Sequence, residues 1–432
     1  MEVHVRFVSL LFRRDISDIS PSENDMFTTC WGLYDGVVSA SPAALCALKG
    51  NMSHPLHPYV SGVSDDAVAR MMATAVGSDE LDLSIGEPDD ALPMDLVETA
   101  VNSLRSGQTG YTPRLGLDEL RVAIAHDIAA GTGFEPAVED VVVTVGGTEA
   151  VSVALQAVCG TGDSIVIPNP AWPNYRVVAE RHGVSVETYD QGLSGDDFLD
   201  LVRIEEALVG GAKLVVVNSP SNPAATVASA AALAALVTLV RRYNAVILSD
   251  EAYESVVFAG GRAPSPLADG GDDVTFSART FSKTFSMTGM RVGSLVSPPA
   301  YRTAVAALHG TSVGCAPITG QRVALEALAS FGSRGDQLAR SYRSRFALAQ
   351  SILGEWMTVS DLDSLGGFYL WLDARATGRT STDLVAAIRA RGVVVSNGKV
   401  FSPDQDGFLR IALTAPEPEL SRALEIVRAE LA

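Results

Sequence analysis

The run Val141-Val142-Val143-Thr144-Val145 ends at Gly146-Gly147-Thr148-Glu149 and passes directly into the helix-forming stretch Ala150–Ala157. Four to five β-branched residues followed by a glycine turn and a helical pattern predict a strand buried on both faces that feeds a helix. The same alternation recurs outward from it. Short apolar runs at Ser164–Ile167, Val184–Thr188, Leu214–Asn218, Ala245–Ser249, Val274–Ser277 and Gly293–Val296 are separated by helical stretches. Strands spaced by helices predict an α/β fold with a mostly parallel seven-stranded sheet between helices.

Beyond residue 330 the pattern changes. An amphipathic helix over Gln337–Trp356 leads into candidate strands at Gly367–Asp373, Val393–Ser396 and Phe408–Leu413, which predict a smaller α+β C-terminal domain. The expected organisation is an N-terminal arm over 1–58, a large domain over 59–329 whose first segment contributes to the small domain, and the small domain over 330–432. A chain of 432 residues is long enough for two such cores. The arm is turn-rich, with Ser, Pro, Asp and Asn clustered in Ile16–Asp25.

A net charge of −19 speaks against nucleic acid and anionic membranes as partners, because their phosphates would be repelled. The four cysteines, Cys30, Cys46, Cys159 and Cys315, form no C-x-x-C pair, so reduced thiols are expected rather than zinc or redox chemistry. The apolar stretch Val5–Phe12 is interrupted by Arg6 and followed by Arg13-Arg14-Asp15, which does not fit a signal peptide. A cytoplasmic small-molecule enzyme without a metal is the expectation.

In open α/β sheets ligands bind beyond the carboxyl ends of the strands. Here those positions hold Gly146-Gly147-Thr148-Glu149, Asn218-Ser219-Pro220-Ser221-Asn222-Pro223, Ser249-Asp250-Glu251-Ala252-Tyr253 and Thr280-Phe281-Ser282-Lys283-Thr284-Phe285. The glycine turn is either a tight connection or, with the free amides of the helix it opens, a phosphate site. Of the four lysines, Lys49, Lys213, Lys283 and Lys399, only Lys283 stands at a strand exit among hydroxyls and aromatics.

Taken in order, these segments resemble the fold type I pyridoxal-phosphate enzymes, specifically the class I/II aminotransferases of the aspartate and aromatic group. Leu83-Ser84-Ile85-Gly86-Glu87-Pro88-Asp89, Gly110-Tyr111-Thr112-Pro113 and Arg291-Val292-Gly293 extend the resemblance from Leu81 to the C-terminus. The resemblance implies a Schiff base between Lys283 and pyridoxal 5'-phosphate, with Lys283 as general base and acid. It implies that Asp250 pairs with the pyridine nitrogen, that Asn222 and Tyr253 meet the phenolic oxygen, and that Trp172 stacks on the ring. The phosphate falls to Gly147, Thr148, Thr280 and Arg291, with Glu149 and Ser282 in the same cofactor site. Tyr111 is implied to reach the phosphate of a neighbouring subunit, hence a homodimer. Arg410 is implied to clamp the substrate carboxylate, assisted by the Gly86 amide, with Trp172 and Asn222 also at the substrate. The implied reaction moves an amino group from an L-amino acid to a 2-oxo acid.

The chain departs from the family pattern at Ala224-Ala225, Met290 and Asn397, where Thr-Gly, an aromatic residue and proline are usual. A β-eliminating carbon-sulfur lyase and a decarboxylating or oxidative deaminating enzyme share the cofactor site and are the rival readings. A nicotinamide dehydrogenase is not supported, since Gly131-Thr132-Gly133 lacks the third glycine and precedes a strand. A transcription regulator of this fold would need a basic helix-turn-helix segment, which the first 55 residues do not provide.

Overall fold

The structure is a computed structural model that describes residues 77, 79–192 and 198–432. The expected arm over 1–58, with Cys30, Cys46 and Lys49, lies outside the described residues. Residues Ala75–Ala432 form one compact unit.

Strands are numbered along the chain. After the short β1 (Leu81–Asp82) come β2 (Val141–Thr144), β3 (Ser164–Asn169), β4 (Ser185–Asp190), β5 (Leu214–Asn218), β6 (Val246–Asp250), β7 (Thr275–Thr280) and β8 (Gly293–Val296). β2 to β8 form a seven-stranded sheet in the order β2-β8-β7-β6-β5-β3-β4. β8 runs antiparallel to both β2 and β7, and the other pairings are parallel. All seven strands fall where the β-branched runs place them, within two or three residues at each end.

Helices cover both faces, which is why the strands read as continuous apolar runs rather than alternating ones. Val141, Val142 and Val143 are at most 3% exposed, and each such side chain contributes roughly 1.5–3 kcal/mol on leaving water. One face packs Val142, Ile165, Val216 and Leu248 against the helices Gly146–Val158 and Asn174–Arg181. The other packs Val166, Val215 and Ile247 against Leu201–Val209 and Ala230–Arg242.

The C-terminal part contains β9 (Tyr369–Asp373), β10 (Val393–Val394), β11 (Ser396–Asn397) and β12 (Phe408–Ala412). β11, β12 and β9 form an antiparallel three-stranded sheet, while β10 pairs in parallel with β1. The helix expected over Gln337–Trp356 spans Arg334–Leu353. Its core joins Tyr342, Phe346, Leu372 and Leu424, and takes in Leu83 and Tyr253 from earlier segments. Arg410 of β12 thereby lines one cavity with Asn218, Asp250 and Thr280, the last residues of β5, β6 and β7.

Candidate active site

Strand ends bring the polar groups together. Asp250 and Thr280 are the last residues of β6 and β7, Asn218 ends β5, and Lys283 follows β7 by three residues. With the entry segment Ser84–Glu87 and Arg410 from β12, they line a cavity of about 400 Å³, the size of a small cofactor site. Lys283, Asp250, Tyr253, Asn222, Gly147 and Thr148 all line it, as do Trp172, Thr280, Ser282, Arg291, Gly86 and Arg410.

At one end the helix Gly146–Val158 begins, with Gly147 and Thr148 at its first turn. Arg291 stands beside it in the left-handed region at φ 53° and is anchored by donating from Nη1 to the Thr288 carbonyl at 2.8 Å. The Thr280 and Ser282 hydroxyls meet at 2.9 Å. The turn is held close to β8 because Gly293 has no side chain: a Cβ there would lie 2.7 Å from the Arg279 carbonyl oxygen and 2.8 Å from the Gly147 nitrogen. Amides, hydroxyls and a guanidinium converging on one point suit a phosphate.

At the other end Asp250 is buried. Burial pushes its carboxyl up to about 6, against the Tyr175 hydroxyl and the Ala252 amide, which favour the ionised form. Tyr175 Oη donates to Oδ2 at 2.5 Å and the Ala252 amide to Oδ1 at 3.2 Å. Among the described residues no cation pairs with this carboxylate, so a protonated ring nitrogen would supply the missing partner.

Lys283 lies between the two ends. Its Nζ donates to the Gly86 carbonyl at 2.6 Å and stands 6.0 Å from the Phe368 ring centroid. Asn222 accepts from Arg410 Nη1 at 3.1 Å through Oδ1, while its own amide donates to Asn218 Oδ1 at 2.7 Å. The Tyr253 and Tyr369 hydroxyls are 3.1 Å apart, and burial holds the Tyr253 phenol protonated, its pKa well above the usual value. Trp172 meets Tyr175 edge-on at 5.3 Å.

Arg410 is 7% exposed. Its guanidinium donates to the Ser84 carbonyl and to Ser396 Oγ, and lies between the rings of Tyr369 and Phe401 at 4.3 and 4.5 Å. Nε is buried without a partner, and among the described residues no carboxylate pairs with the group. Burial lowers its pKa.

One residue assigned from sequence is placed elsewhere. The Glu149 side chain is turned away from the cavity: Oε2 accepts the Val145 amide and Oε1 meets His309 Nδ1 at 2.7 Å. A carboxylate would repel a phosphate, and here it holds the turn from behind. Tyr111, expected at the phosphate of a neighbouring subunit rather than in its own cavity, is 94% exposed. At Gly86, which lines the cavity, the carbonyl accepts from Lys283 Nζ. Tyr175, Tyr369 and Asn218 are site residues that sequence reasoning missed. For Tyr175 a signal was available, three residues beyond Trp172 in Trp172-Pro173-Asn174-Tyr175.

A seven-stranded mixed sheet with a lysine at its carboxyl edge, a buried aspartate at one end of the cavity and an anion cradle at the other defines a fold type I pyridoxal-phosphate enzyme. The family model "Aminotransferase class I and II" matches residues 78–427, and the chain belongs to that family. It is 31% identical over 316 residues to the bifunctional aspartate aminotransferase and glutamate/aspartate-prephenate aminotransferase of Petunia hybrida, covering 72% of this chain and 65% of that one. It is 30% identical over 350 residues to the aspartate aminotransferase of Thermotoga maritima, covering 81% of this chain and 90% of that one. Its fold matches the solved aspartate aminotransferase of Thermus thermophilus with maleate at a TM-score of 0.78 and 26% identity, over 87% of this chain and all of that one. The chain is thus an aminotransferase, and its family uses pyridoxal 5'-phosphate.

Proposed function

We propose that this enzyme moves the amino group of an L-α-amino acid to a 2-oxo acid with the residues of the one cavity described above, aspartate being the first donor to test because two relatives bear its name. The observation that carries the reading is Arg410: a buried guanidinium with an unpartnered Nε and, among the described residues, no ion pair to a carboxylate suits the α-carboxylate that every such substrate has.

When bound, the cofactor supplies a conjugated pyridinium ring that withdraws electrons from the carbon losing its proton. The chain's residues do the rest. Lys283 holds the cofactor covalently through Nζ, and when released by substrate the same Nζ carries the proton from one carbon to the other. The Gly86 carbonyl keeps Nζ on the side of the entry segment. Asp250 keeps the ring nitrogen protonated, with Tyr175 and the Ala252 amide fixing its orientation. Asn222 and Tyr253 would meet the ring oxygen, and Trp172, which also lines the cavity, would cover the ring. Gly147, Thr148, Thr280, Ser282 and Arg291 take the phosphate.

We further propose a homodimer, supported by Tyr111: a 94% exposed aromatic in the Gly110-Tyr111-Thr112-Pro113 loop fits a contact made in a neighbouring subunit. A division into large and small domains near residue 330 is supported by the separate three-stranded sheet and its own core. A cytoplasmic location is supported by the two described cysteines, Cys159 and Cys315, both free. Among the described residues no helix is long and apolar enough to cross a membrane.

The test is a single turnover: cofactor-loaded protein is mixed with L-aspartate and then with other L-amino acids, and the products are identified by mass spectrometry. Transamination releases one 2-oxo acid per site and leaves the nitrogen on the cofactor. Release of ammonia or carbon dioxide with the cofactor still in its aldehyde form would assign a lyase or a decarboxylating enzyme instead.

A further inference from the structure

His309 is completely buried in the helix Arg302–Ser312, outside the cavity, and both of its ring nitrogens face acceptors. Nδ1 lies 2.7 Å from Glu149 Oε1 and Nε2 lies 2.7 Å from the Arg114 carbonyl oxygen. A carbonyl only accepts, so Nε2 carries a hydrogen. Nδ1 faces a carboxylate, and in the imidazolium form both ring nitrogens donate. The remaining Glu149 oxygen accepts the amide of Val145, the residue that caps the helix bearing Gly147 and Thr148. The ring thus ties the first turn of that helix to the loop Gly110–Gly116, which Gln321 pins from its other side through Thr112 and the Leu117 amide.

We propose that His309 is a positioning residue of this enzyme: clamped as a cation between Glu149 and the Arg114 carbonyl, it fixes the turn whose amides receive the cofactor phosphate. The inference rests on the reading of Gly147-Thr148 as the phosphate turn. Burial by itself disfavours the charged ring, but Glu149 and the Arg114 carbonyl outweigh it, so the pKa is raised. These are the polar groups that face the ring from the elements packed on its helix, while Arg302 at the start of the same helix is engaged with Asp140. Glu149 thereby acts on the phosphate site through geometry, without presenting its charge to it.

The test compares full-length wild-type protein and His309→Gln, both freed of cofactor, for affinity toward pyridoxal 5'-phosphate and toward pyridoxal, which lacks the phosphate. His309→Gln is expected to weaken the phosphate ester roughly tenfold, the size typical of partners one shell behind a bound group, and to leave pyridoxal unchanged. Equal loss for both, or loss for neither, overturns the inference. Wild-type protein that binds the two ligands alike overturns the phosphate-turn reading itself, so the two failures are told apart. Should His309→Gln not fold, nitrogen-15 shifts of the wild-type ring decide. Both nitrogens protonated near neutral pH, reverting to one in Glu149→Gln, supports the clamp, and a neutral wild-type ring contradicts it.

Discussion

The Tyr175 hydroxyl donates to Oδ2 of Asp250 at 2.5 Å, from a helix that follows β3 to a cavity-lining carboxylate at the end of β6. This contact orients the carboxylate and partly offsets the cost of burying it. Tyr175→Phe removes one hydrogen bond to a charged acceptor, worth about 1.5–3 kcal/mol. The expected result is a turnover loss of roughly tenfold to a hundredfold with the amino-acid KM little changed, read from steady-state kinetics with saturating cofactor. An unaltered kcat would mean that Asp250 is held by its other contacts.

Asp250 also predicts a pH dependence. Its folded-state pKa of about 6 stands above the ordinary carboxyl value near 3.9. A carboxyl raised on folding stabilises the cofactor-free protein fully below the ordinary value, and that contribution is lost as pH rises through about 6. The thermal midpoint of cofactor-free wild type, compared with Asp250→Asn, should therefore fall between about pH 4 and pH 6.5, by the equivalent of about 2–3 kcal/mol. A constant difference between the two proteins across that range contradicts the burial argument.

Gly86 is tested through Tyr369. A Cβ on Gly86 would fall 1.7 Å from the Tyr369 hydroxyl oxygen and 2.7 Å from the ring carbon that bears it. Gly86→Ala should displace the entry segment, draw the Gly86 carbonyl off Lys283, and cost about 1–3 kcal/mol of stability by overpacking. Tyr369→Phe in the same chain removes the nearest atom and should recover part of both stability and activity, a coupling that a double-mutant cycle in denaturant and kinetics measures. Strictly additive effects would mean that the two residues do not meet.

Arg410→Lys separates substrate capture from cofactor binding. Lysine keeps the charge but lacks the planar fork, and it cannot occupy the space between Tyr369 and Phe401 in the same way. The loss of a buried charged contact, about 2–5 kcal/mol, predicts a KM for the amino acid raised by at least roughly thirtyfold, with cofactor affinity unchanged in equilibrium dialysis. A parallel fall in cofactor affinity would place Arg410 at the phosphate or ring instead.

The sheet was legible because residues buried on both faces must be apolar, and Val141–Val143, Leu214–Val217 and Val246–Leu248 announce themselves without any knowledge of their neighbours. Lys283, Asp250 and Asn222 stand out because they follow or end strands at the carboxyl edge of the sheet, whereas Arg410 taken alone reads as a surface arginine on an edge strand and was assigned only through the resemblance. Tyr175 and Tyr369 were not legible. Each is an aromatic in a run that also reads as core, and each acquires its role only when tertiary packing sets its hydroxyl against Asp250 or Tyr253. Glu149 shows the converse: its place after Gly146-Gly147-Thr148 suggested the cofactor, but the helix rotates its side chain toward His309, a partner 160 residues away. Ala225 adopts the left-handed backbone at φ 62°, a conformation that glycine takes without steric cost.

Of the four lysines, Lys283 is the one expected to carry the cofactor. Borohydride reduction of the pyridoxal-phosphate-loaded protein followed by peptide mass spectrometry tests it most directly. A stoichiometric pyridoxyl phosphate adduct is expected on Lys283 and is expected to be absent from Lys283→Ala. An adduct confined to Lys49, Lys213 or Lys399, or persisting at full stoichiometry in that variant, would contradict it.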